Sequence, residues 1–166
     1  MSSSPRRIVY LSAAAAALLV AAPVYLGCSA SRSADPAVPS PSGQAAADCR
    51  TLHSRLPEKV EGQQRVEPEP KSVYTAVWGD PAIELRCGVP RPEVLTPGSE
   101  HYNPTTEAVE VNGVEWLLEE QPDGYRFTTI GRTAFVELTV PGVYAPEVGV
   151  LTDFANAVRG AVPKDG

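Results

Sequence analysis

The chain has 166 residues, with 14 Lys and Arg against 20 Asp and Glu, three Cys and two His, which leaves room for one domain beside a targeting segment. All 20 acids and 12 of the bases follow Cys28; so negative a surface is soluble and repels phosphate backbones, which argues against nucleic acid as a partner. No H-E-x-x-H, C-x-x-C or Asp-rich loop accompanies the two His, so neither a metal nor a cofactor is expected.

Arg6 and Arg7 precede an uncharged run from Ile8 to Gly27, and every acidic residue lies beyond it. Positive charge held inside while the remainder crosses a membrane is the pattern of an exported chain. The run of about 20 residues is long for a signal-peptide core and just long enough to span a bilayer if left uncut. Cys28 sits at its outer edge, directly after Gly27, and three fates remain open for it. It is a lipid-attachment candidate, the end of an uncut span, or part of a peptide removed after Ala30. Tyr25 and Leu26 fit a lipoprotein signal poorly, and Pro5 and the residues after Arg7 fit a twin-arginine signal poorly. Residues 1–28 are thus read as an export signal or membrane anchor. Residues 29–47, rich in Ser, Ala and Pro, read as a tether that clears the membrane surface.

Three Cys in an exported chain leave one unpaired. With Cys28 lipidated, embedded or removed, Cys49 and Cys87 remain as a disulfide pair. The folded part, residues 48–166, opens with DCRTLHSRLP, where Asp48 is a candidate N-cap and Cys49, Leu52 and Leu56 share one helical face. VYTAVWG and AIELRCG then read as two strands about Gly79-Asp80-Pro81, with Ile83, Leu85 and Cys87 alternating onto one face. The proline-rich loop 90–107 follows, long enough to suggest function or disorder and extended enough to act as a strap.

In EAVEVNGVEWLLEE, Asn112-Gly113 supplies the positive φ angles of a type I′ turn, so Val111 should face Val114 and Val109 should face Trp116. Glu110, Glu115 and Glu119 take the opposite, wet face. A strand in QPDGYRFTTI and another in TAFVELTV complete the sheet, and a helix from Pro146 carries Val148, Leu151, Phe154, Ala155, Val158 and Val162 on one stripe. The expected fold is α+β, with an antiparallel sheet of about six strands and an N-terminal and a C-terminal helix packed on one face.

No nucleophile elbow or catalytic triad spacing is present, so no catalytic residue is assigned. Trp78, Asp80, Arg86 and Arg132 form a candidate polar binding surface. The alternative reading is that Trp78 packs the sheet, Asp80 caps the turn and the two arginines pair with nearby glutamates. LP after the first exported cysteine, WGDPAIELRCGV, VNGVEW and FTTIGRTAFVELTVP together resemble the domain-of-unknown-function 3515 family of envelope proteins from high-GC Gram-positive bacteria, over about residues 48 to 162. The resemblance implies an exported or membrane-anchored domain with no assigned activity, in an envelope setting.

Two functions follow as expectations. The first is a non-enzymatic module at the extracytoplasmic face of the cell membrane, attached through its N-terminus and binding an envelope protein or wall component. The second is a small hydrolase of wall peptide or glycan, working through paired carboxylates among Glu110, Glu115, Glu119 and Glu120 in a concave site.

Overall fold

A computed structural model describes residues 36–166; the apolar run and Cys28 lie outside them. Helix α1 spans Gly43–His53, so it begins before the expected N-cap. Asp48 lies within the helix, buried, accepting hydrogen bonds from Gln44 Nε2 at 2.7 Å and from the Thr133 hydroxyl at 2.6 Å. It fastens the helix to the turn that carries Thr133 rather than capping it. The last residues assigned to the tether, 43–47, belong to this helix.

Eight strands follow: β1 Lys59–Val60, β2 Gln63–Val66, β3 Thr75–Trp78, β4 Ile83–Val89, β5 Ala108–Val111, β6 Val114–Gln121, β7 Gly124–Ile130 and β8 Phe135–Pro141. They form one sheet in the order β1-β2-β3-β4-β8-β7-β6-β5, with every neighbouring pair antiparallel. The expected six are β3 to β8. The two additional strands form a small hairpin about Glu61 and Gly62, both at positive φ. β1 has two residues and β2 reads Gln-Gln-Arg-Val, too short and too polar to show the alternation by which strands are recognised.

The Asn112-Gly113 turn has φ values of 51° and 82°, and the register pairs Val111 with Val114 and Val109 with Trp116 as expected. Helix α2 spans Leu151–Ala161. The turn before it, Glu147–Val150, is 3-10; Gly149 within it is a poor α-helix former.

Alternation along β3, β4, β6, β7 and β8 directs Trp78, Leu85, Trp116, Phe127 and Leu138 into one core cluster. Cys49 and Leu52 of α1 and Leu151, Phe154, Ala155 and Val158 of α2 complete it. Trp78 meets Phe154 edge-on, with ring centroids 5.1 Å apart, a favoured arrangement of two aromatic quadrupoles. The Cys49–Cys87 disulfide, with Cα atoms 5.5 Å apart, ties α1 to β4 inside this core.

Candidate functional site

The four residues of the candidate surface do not converge. Trp78 is fully buried, and its indole N–H donates to the Pro57 carbonyl at 3.0 Å. Arg65 lies over the ring, 5.8 Å from its centroid. Arg132 is a correction to its expected place on that polar binding surface, since it is buried. Its side chain lies beneath the end of α2, donating to the Val162 carbonyl at 3.0 Å and the Gly113 carbonyl at 2.6 Å. Burial, then the charge of Arg159, holds its pKa below the usual arginine value. Both residues brace the fold, and Arg132 pairs with carbonyls rather than with a glutamate.

Asp80 and Arg86 lie at two separate cavities. Asp80 is exposed at the rim of a cleft of about 1090 Å³ at one end of the sheet. Its walls come from the β3–β4 turn (Asp80, Pro81, Ala82), the β6–β7 turn (Gln121 to Gly124) and the segment leaving β8 (Pro141, Gly142, Val143), with Glu147 beyond. The Tyr144 hydroxyl donates to the Pro81 carbonyl at 2.7 Å and the Gly142 N–H donates to the Asp123 carbonyl at 2.8 Å, so these turns are tied to one another. Burial, then the charge of Asp80, pushes the Tyr144 phenol above its usual pKa. At Gly124, φ is 146° and an added Cβ would run into the Val140 carbonyl and the Gly142 nitrogen. Only glycine lets the β6–β7 turn approach the end of β8 this closely. Asp80, Glu84, Glu120, Asp123 and Glu147 line the cleft, with no Lys, Arg or His among the described lining residues. Solvated carboxylates around a concavity create a negative potential that draws in cations.

Arg86 lies on the sheet face opposite the core. Register places Thr75, Arg86, Glu137 and Thr128 in one row across β3, β4, β8 and β7. Arg86 Nη1 meets Glu137 Oε1 at 3.1 Å, and Arg126 Nε stands 4.0 Å from Glu137 Oε2. The 90–107 loop folds over this row and encloses a second cavity of about 290 Å³. Sequence reasoning missed Thr128, a threonine in a strand where threonine is ordinary.

The four glutamates of the hydrolase reading do not share one concave site. Glu110 accepts the Gly113 N–H at 2.8 Å and serves the turn. Glu115 is opposite it on an exposed stretch, Glu119 lines the second cavity and Glu120 the acidic cleft. His53 accepts a hydrogen bond from Arg65 Nη2 at 2.7 Å, and His101 is exposed on the loop 3.7 Å from Glu93. Among the described residues, no group of three or more His, Cys, Asp or Glu has the arrangement of a metal site.

Fold and cavities together define a disulfide-braced α+β domain with an eight-stranded antiparallel sheet, an acidic cleft at one end and a strapped polar pocket on its outer face. Residues 8–166 match the family described as protein of unknown function, DUF3515, and the chain belongs to that family. Comparison with curated proteins and with solved structures gave no match.

Proposed function

We propose that the protein is a membrane-anchored extracytoplasmic module that acts by binding, and that its acidic cleft receives a positively charged segment of an envelope partner. The cleft carries the reading: among the described lining residues, five carry carboxylates and none is Lys, Arg or His around a concavity of about 1090 Å³. Export is supported by the charge pattern about Ile8 to Gly27 and by the buried Cys49–Cys87 bridge, because such bridges persist in oxidising compartments. Glu110, Glu115, Glu119 and Glu120 do not meet in one concave site, so the hydrolase reading, which placed among them two carboxyl groups about 5 to 9.5 Å apart at one site, gains no support from them. Attraction between exposed charges is screened by salt, so binding here weakens as ionic strength rises.

The test is titration of the full-length protein in detergent micelles with a tetralysine peptide. The double variant D80N/D123N should weaken binding at least tenfold. E58Q/E115Q, which removes two exposed carboxylates outside the cleft, should leave it nearly unchanged. Equal losses from the two double variants would show diffuse attraction to an acidic surface and sink the cleft reading.

A further inference from the structure

Two residues that line the pocket beneath the 90–107 strap carry buried polar atoms with no partner among the described residues. Thr128 is 1% exposed and its hydroxyl has no hydrogen-bond partner, although the residue lines the cavity. Arg86 Nε is buried and likewise unpaired. Its Nη1 is committed to Glu137, but the Nε edge of a guanidinium faces another way and can serve a second acceptor. Buried donors without partners are uncommon in folded proteins, and each is costly to keep. Of the four such atoms among the described residues, two belong to residues that line this one cavity, which points to an occupant.

The cavity's charges describe that occupant. Arg86 and Arg126 stand on the sheet and share Glu137, while Glu93, 3.7 Å from His101, projects from the strap and Glu119 from β6. A ligand bridging sheet and strap therefore meets the Arg86 Nε–H, which lies outside the Glu137 pair, at one end and the Glu93 carboxylate at the other. A volume of about 290 Å³ lies at the lower edge of small-molecule pockets, about 300 to 1,000 Å³, which limits the ligand to the size of an amino acid or a very short peptide. Pro92, Glu93, Val94 and His101 of the strap line the cavity together with Arg86 and Thr128. Among the described residues, the hydrogen bonds of 91–106 join strap residues to one another, as in Leu95 to Pro92, Asn103 to Val94 and Arg91 to Leu95. The strap can thus lift from the sheet without unravelling.

We propose that this pocket binds a small zwitterion of amino-acid size, which sets a carboxylate on the Arg86 Nε–H, supplies a polar partner to the Thr128 hydroxyl and turns its ammonium toward Glu93. The site is separate from the acidic cleft and does not depend on the role given to it.

The test is NMR of the full-length protein in detergent micelles with ¹⁵N-labelled arginine, following the Arg86 Nε–H signal. That signal is assigned by its loss in Arg86→Lys. The probes are L-alanine, L-glutamate, L-lysine and glycylglycine, with acetate as the control lacking an ammonium group. At least one zwitterion should move the signal saturably at millimolar concentration, and Thr128→Val and Glu93→Gln should each weaken that response at least tenfold. Thr128→Val should at the same time raise the melting temperature, since it deletes an unpaired buried hydroxyl; a binding loss with a higher Tm separates a ligand role from a structural one. Glu93 is exposed, so its variant remains informative if Thr128→Val fails to fold. No response to any zwitterion, an equal response to acetate, or full binding retained in both variants would overturn the proposal.

Discussion

Gly113 holds φ at 82° in a two-residue turn, and the nearest atom to an added Cβ would be Arg159 Cδ at 3.7 Å. Space is therefore adequate and the backbone angle alone makes glycine necessary. Gly113→Val should destabilise the domain by about 1 to 3 kcal/mol, measured by urea unfolding; an unchanged midpoint would show that the turn is not what sets the β5–β6 register. His53 gives a prediction in pH. Burial, and then the neighbouring Arg65 charge, lowers its pKa below the usual 6.5. The unfolded chain thus binds a proton in a window where the folded chain does not, so stability rises with pH through that window. The contribution is complete above about 6.5 and is lost as pH falls through the folded-state pKa. Melting curves on either side of pH 6.5 should show this slope in the parent and a shallower one in His53→Gln; equal slopes would contradict it. Asn112-Gly113 was legible because few dipeptides accept those angles. Arg132 was not, since a basic residue after a turn glycine looks solvent-facing until the end of α2 is folded over it.

Among the elements, the α1–β4 link is where sequence and structure agree most closely. Cys49 and Cys87 were placed on core faces by helical and strand periodicity separately, and the bridge joins those two faces. Closing a loop with a sequence separation of 38 residues stabilises by about 4 kcal/mol in the chain-entropy estimate. Replacing both cysteines by alanine should cost about 2 to 5 kcal/mol, and a melting temperature unaffected by the double variant or by reductant would contradict that role. The β1–β2 hairpin escaped detection because two residues of one strand and a polar run in the other carry no period. The start of α1 was misplaced for a related reason. Asp48 looks like a cap by composition, but the fold supplies Thr133 as its partner from 85 residues away, so it is stable inside the helix.

At the scale of the molecule, six of the eight strands and the presence of both helices were legible from alternating and helical periodicity, whereas neither cavity was. The acidic cleft gathers Asp80, Asp123, Gly142 and Glu147 from separate turns, and proximity of that kind is created only when β4, β8 and β7 lie side by side. The strapped pocket needs Arg86, Thr128 and Glu93 together; Arg86 carried a signal in sequence and Glu93 lies in the loop singled out there, whereas Thr128 carried none. The central claim is that this domain is held at the outer face of a membrane, where a charged cleft can act on a partner fixed in the same envelope. Its most direct test is intact-mass analysis of the membrane fraction and the medium, with and without Cys28→Ala. Lipid anchoring predicts a membrane-bound mature chain that begins at Cys28 and carries added diacylglyceryl mass, lost in the variant. A full-length chain in the membrane would mean anchoring by an uncut span, and a chain beginning at Ser31 and free in the medium would contradict the claim.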